Sequence, residues 1–188
     1  MTIAPFRLAL IADAHFHDPE GDFGGVGLRL GGRLLALRPW AEMRAAGRAV
    51  NESADALRTA LERAAAAGAR QVILAGDLTD EGQAENIARL ADLLSAAEAR
   101  LGIRAFVLPG NHDLYAAAGK HVAVPIVTGP GQVRMVTSDP DFPRAVLTPA
   151  MRCPGQADAL APLAPFGLCR HPDDLHWESP FGPSDRAG

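Results

Sequence analysis

The sequence predicts an α/β fold: a parallel-stranded βαβαβ unit followed by a Pro-rich irregular C-terminal segment. Three observations carry this. Short apolar runs at 8–12, 72–75 and 105–108 each end in a polar cluster. Two helix-periodic stretches, at 51–67 and 83–101, separate these runs. Eleven of the 15 prolines lie after Asp113, where the periodicity stops.

The elements follow in chain order. Leu8-Ala9-Leu10-Ile11-Ala12 has strand length and no polar alternation, as expected of a strand covered on both faces. An insertion at 16–50 comes next, glycine-rich and then arginine-rich. Its Gly24-Gly25-Val26-Gly27 lacks the spacing of a phosphate loop and reads as a plain flexible loop. Pro39 can open a short helix through Trp40, Met43 and Ala46. In the first long helical stretch Ala54, Leu57, Leu61 and Ala64 share a face. Asn51 or Ser53 is its expected cap and Gly68 its stop. Val72-Ile73-Leu74-Ala75 is the second strand. Ile87, Leu90, Leu94 and Leu101 mark the second helix, ended by Gly102. Ala105-Phe106-Val107-Leu108 is the third strand. Alternating strands and helices imply a parallel sheet. Beyond Asp113, residues 122–127 and 132–136 read as a hairpin turning at Thr128-Gly129-Pro130-Gly131. Residues 138–188 show no periodicity. The expected division is an N-terminal α/β region at 1–120, with the insertion at 16–50, and an irregular Pro-rich lid or connection at 121–188.

Composition narrows the class. A chain of 188 residues with 48% apolar and 21% charged residues can bury its own core. The net charge of −4 argues against a general nucleic-acid coat, leaving nucleic acid only as a substrate. No apolar run approaches a membrane span, and the N-terminus lacks a basic region and long apolar stretch of a signal peptide, so the expected location is cytoplasmic. Cys153 and Cys169 lack C-x-x-C spacing and read as reduced, unpaired thiols.

The chemistry lies at the strand ends. The clusters are Asp13-Ala14-His15, Gly76-Asp77-Leu78-Thr79-Asp80 and Gly110-Asn111-His112-Asp113. Parallel strands bring their carboxyl ends to one sheet edge, where ligands bind in open α/β folds. Asp, His and Asn together form a mixed oxygen and nitrogen donor set suited to Mn²⁺, Fe or Zn²⁺.

The ordered series D-x-H, G-D-x-x-D, G-N-H-D resembles the calcineurin-like metallophosphoesterase family over residues 6–114. The resemblance implies half of an αββα sandwich. It implies two divalent metal ions, with Asp13 and His15 on the first, Asp77 bridging and Asn111 on the second. His112 would act at the leaving oxygen as a general acid, and Asp80 would hold it in place. The implied reaction is hydrolysis of a phosphate mono- or diester by a metal-activated hydroxide. Complete members add G-H and G-H-x-H motifs. Here none of His17, His121, His171 and His176 follows a glycine. The expectation is therefore an N-terminal fragment or truncated homologue that needs a missing C-terminal half or a partner chain. The alternative function is a non-catalytic homologue with partial metal or nucleotide binding.

Other polar residues carry blander expectations. His17 reads as a loop histidine, with a substrate contact as the alternative. Arg29, Arg33, Arg38, Arg44 and Arg48 read as a solvated surface, with one or two phosphate contacts as the alternative.

Overall fold

A computed structural model describes residues 6–172 and 174. The elements begin with β1 (Leu8–Ala12), β2 (Leu28–Leu30), β3 (Arg33–Leu35), α1 (Trp40–Ala46), α2 (Ser53–Ala66) and β4 (Gln71–Gly76). They continue with α3 (Ala84–Leu101), β5 (Arg104–Pro109), β6 (Lys120–His121), β7 (Ala123–Gly129) and β8 (Gln132–Thr137). The last are β9 (Val146–Leu147), β10 (Arg152–Cys153) and α4 (Gln156–Leu160).

The central sheet has the order β1-β4-β5, all parallel, with Ala12 level with Ala75 and Gly76 level with Pro109. The fold is thus mixed α/β, consistent with half of a metallophosphoesterase domain. One sheet face packs on α2 and α3. Val72, Leu74, Ala105 and Val107 bury there against Leu57, Leu61, Ile87, Leu90 and Leu94. Each such leucine or isoleucine contributes about 1.5–3 kcal/mol by leaving water. The opposite face is not covered as the strand composition predicts. Leu8, Leu10 and Leu108 are 47%, 65% and 59% exposed. Among the described residues, no helix packs over this face, and only the turn around Gly167 reaches it, at Phe106.

The helix boundaries follow the expected stops but not the expected caps. Gly68 and Gly102 take positive φ after α2 and α3. Neither Asn51 nor Ser53 caps α2, which is preceded by a 3-10 turn at Val50–Glu52. The Asn51 side chain instead brackets the Arg38 backbone, accepting from its N–H at 2.8 Å and donating to its carbonyl at 3.0 Å. Ser53 Oγ donates to Val50 O at 2.7 Å and accepts from the His17 amide at 2.9 Å. Both side chains thus fix the insertion rather than the helix.

The insertion is only partly a loop. Gly24 to Gly27 lie outside regular structure, but β2 and β3 form a hairpin through Gly31 and Gly32. Pro39 precedes α1 as anticipated. The insertion then joins a second core, in which Phe23 and Ala36 pack with Val122, Val124, Ile126, Val136 and Met151. That core belongs to the antiparallel β7–β8 hairpin, which turns where the sequence places it and carries a bulge between Val127 and Gly129. Short elements also occupy 146–168, where no periodicity was visible. They pack nonetheless: Leu163 and Phe166 enter the first core and Met151 the second.

Candidate active site

Pairing of β1 with β4 continues past the strand ends. The amides of Asp13, His15 and Phe16 donate to the carbonyls of Ala75, Asp77 and Leu78 at 2.9, 3.0 and 2.8 Å. The first two clusters therefore run side by side. Asp13 and His15 both adopt positive φ, 48° and 41°. Such backbone is costly for a residue with a Cβ and persists where the surroundings impose it. Here the ladder imposes it. Gly76 and Gly110 leave the room: a Cβ on Gly76 would collide with Asp13 Oδ1, and one on Gly110 with Asp77 Oδ1.

Asp77 is the centre of the cluster. Its Oδ1 accepts from the His112 amide at 2.9 Å. Its Oδ2 lies 3.9 Å from His15 Nε2 and 4.0 Å from His112 Nε2. The two imidazoles meet edge to face with centroids 5.1 Å apart. Asp13 Oδ1 accepts from the Asp77 amide at 3.2 Å, and Asp13 and Asn111 are both exposed. Among the described residues, no group of three His, Cys, Asp or Glu side chains converges closely enough to hold a metal ion. In kind, the donors fit a divalent ion: one carboxylate oxygen faces two imidazole nitrogens. In placement, Asp13 Oδ1 is held by the Asp77 amide, and among the described residues no hydrogen bond keeps its second oxygen from an ion. Burial lowers the His15 pKa, and the nearby Arg48 guanidinium lowers it further.

His112 is held differently from the resemblance-based expectation. Its Nδ1 contacts the backbone carbonyl of Asp80, not the carboxylate, and lies 2.8 Å from the Tyr115 hydroxyl. A carbonyl only accepts, so the Nδ1–H donates and Nε2 is left facing Asp77. The Asp80 carboxylate is engaged elsewhere. Its Oδ1 accepts from Arg48 Nη1 at 2.7 Å and its Oδ2 from Arg38 Nη1 at 3.4 Å. A buried carboxylate gains more from two guanidinium groups than from a neutral imidazole.

Residues 6–142 match the family model for calcineurin-like phosphoesterase. The chain belongs to the calcineurin-like phosphoesterase family. The match takes in all three strand-end clusters and the insertion. The comparison with curated proteins returned no match. No helix among the described residues is long and apolar enough to cross a membrane.

Within this calcineurin-like phosphoesterase chain, three residues outside the expected ligand set shape the site. Asp113, only 2% exposed, ties two clusters together. Its carboxylate accepts from the amides of Leu78, Thr79 and Gly110 at 2.8, 2.7 and 2.9 Å, and from Thr79 Oγ1 at 2.7 Å. The sequence placed it in the third motif but showed no role. Tyr115 backs His112; burial and then the neighbouring Glu81 raise its pKa. Arg48 comes from the arginine group that composition made look like surface. Nothing local in the sequence separates it from Arg29 or Arg44; its partners Asp80 and His15 lie 32 and 33 residues away along the chain.

His17 sits beside the site but faces away from its chemistry. It is 4% exposed, with Nε2 2.9 Å from Ala36 O and Nδ1 3.4 Å from Asn86 Nδ2. Burial lowers its pKa. It is a bonded structural histidine, so the substrate-contact alternative has no support. Cys153 and Cys169 are both free thiols. His176 lies outside the described residues.

Proposed function

We propose that the chain is a divalent-metal-dependent hydrolase of phosphate mono- or diesters. The observation that carries this is the approach of His15 and His112 to Asp77 Oδ2 at the carboxyl edge of the parallel sheet. Asp13, His15, Asp77 and Asn111 would hold the ions, Mn, Fe or Zn. Bound ions at such a site supply an activated water and neutralise charge developing on the phosphoryl group. The protein's own groups do the rest. His112 presents Nε2 toward the reacting group and, when protonated, delivers a proton to the leaving oxygen. A positioned histidine of this kind is worth about 10²–10⁴-fold. The Asp80 carbonyl and Tyr115 hydroxyl hold the other ring nitrogen, so the imidazole need not reorganise during reaction. Asp113 keeps the second and third clusters in register.

A second reading has its own support. Asp13 Oδ1 accepts from a backbone amide, and among the described residues one sheet face is open. Both suit a chain that binds metal or nucleotide only partially until a further C-terminal half or a partner chain covers the sheet. Turnover of p-nitrophenyl phosphate by the purified 188-residue chain, with and without Mn²⁺, separates the two. The first reading expects Mn²⁺-dependent turnover that Asp77→Asn reduces by at least 10²-fold, on the order of one lost charged ligand and its transition-state stabilisation. Activity that survives Asp77→Asn would reject the mechanism. Mn²⁺ binding without turnover would favour the second reading.

A further inference from the structure

Two arginines of the insertion share the Asp80 carboxylate, and they differ. Arg38 is 5% exposed and pairs with Glu42 as well as Asp80, with Glu81 3.7 Å away. Its guanidinium is committed on all sides. Arg48 has a 28% exposed side chain. Both its contacts run through one atom: Nη1 lies 2.7 Å from Asp80 Oδ1 and 3.3 Å from His15 Nδ1. Its position is built rather than incidental. Gly47, at φ 69°, ends α1 in the left-handed conformation, and the Arg48 amide donates back to Met43 O at 3.1 Å. That turn sends the side chain over the strand-end edge. The Arg44 side of α1 is exposed.

Resting on the phosphoesterase reading above, we propose that Arg48 contacts the phosphoryl oxygens of the substrate. The site otherwise presents the carboxylates of Asp13 and Asp77 to an anionic group, while Asp80 is buried. Arg48 is the guanidinium that touches a residue of the central cluster, His15, while remaining open to water. A guanidinium fork binds two phosphate oxygens at once. Arg38 stays on Asp80 when Arg48 turns outward, so the buried carboxylate keeps a counter-ion. This division gives the insertion a purpose: one arginine balances Asp80 and the other reads the substrate's phosphate.

The test uses inorganic phosphate as the probe. Its binding to the 188-residue chain in the presence of Mn²⁺ is measured by calorimetry, independently of turnover. Arg48→Ala should weaken phosphate binding about ten- to a hundredfold, the range for a lost charge-assisted hydrogen-bonded contact. Where turnover is present, KM and the inhibition constant for phosphate should rise together, with kcat changed less. Arg48→Lys keeps a charge near Asp80 but loses the fork, and should weaken binding several-fold. It also serves if the alanine variant does not fold. Arg44→Ala, on the exposed side of α1, is the control and should bind as the parent does. If Arg48→Ala binds phosphate like the parent and only melts earlier, Arg48 is a counter-ion for Asp80 and the proposal is overturned. A parent chain that binds no phosphate overturns it as well. Failure of the phosphoesterase reading looks different: phosphate still binds in an Arg48-dependent way, but no turnover depends on Asp77.

Discussion

The two faces of the β1-β4-β5 sheet are built from the same kinds of residues and meet different fates. Val72 and Leu74 on one face are 0% exposed, while Leu10 and Leu108 on the other are 65% and 59% exposed. Ile73 and Phe106 lie between these extremes. The Ala164–Leu168 turn reaches round the β5 edge: Phe166 enters the helix-side core, and a Cβ on Gly167 would collide with the Phe106 ring on the other side. Apolar composition makes a strand able to be covered. Whether it is covered depends on what else in the chain can reach it. Strand apolarity and strand burial are therefore separate facts in this protein.

The largest expected effect follows directly. Leu74→Ala should cost about 2–5 kcal/mol in denaturant unfolding, because it opens a cavity between the sheet and its helices. Leu10→Ala, on the open face, should stay within about 0.5 kcal/mol. Equal costs would break the contrast and mean that the second face is covered in solution.

A middle-sized effect concerns the polar edge that both faces share. Asp113→Asn leaves buried amides facing an NH₂ group where a carboxylate accepted four bonds. It should cost about 1–3 kcal/mol in thermal or chemical unfolding. It should also lower metal-dependent turnover by shifting Asp77 and His112 relative to one another. A variant as stable as the parent would show that the loops hold each other without this brace.

The smallest effect is a difference in reactivity rather than stability. Cys153 is buried, its thiol donates to Glu81 O at 2.8 Å, and burial pushes its pKa up to about 12. Cys169 is exposed. A thiol reagent at pH 8 should label one cysteine quickly in the folded protein and the second only on unfolding. Rapid labelling of both would show that the second core opens in the folded protein on the timescale of the reagent.

Much of the site was legible in the sequence because its residues sit in short motifs at strand ends. Asp13, His15, Asp77, Asn111 and His112 are read from three local strings, and the parallel sheet requires those strings to share an edge. The contacts of Asp80 were not legible. Whether its carboxylate reaches His112 depends on Arg38 and Arg48, which lie 42 and 32 residues earlier. Arg48 and the structural role of His17 were hidden for the same reason: each is fixed by partners far along the chain. Tyr115 lies only three residues from His112, but no motif marks it.

The sequence by itself determined the α/β class, the three parallel strands, both long helices, the β7–β8 hairpin and the family. Periodicity, glycine stops and strand-end motifs are local signals, and local energetics agree with the fold at each of them. Tertiary structure decided which sheet face is buried, how the Pro-rich segment packs, and which arginine faces the site. Those outcomes turn on competition among distant groups for burial and charge, and a linear string does not record who is near enough to compete.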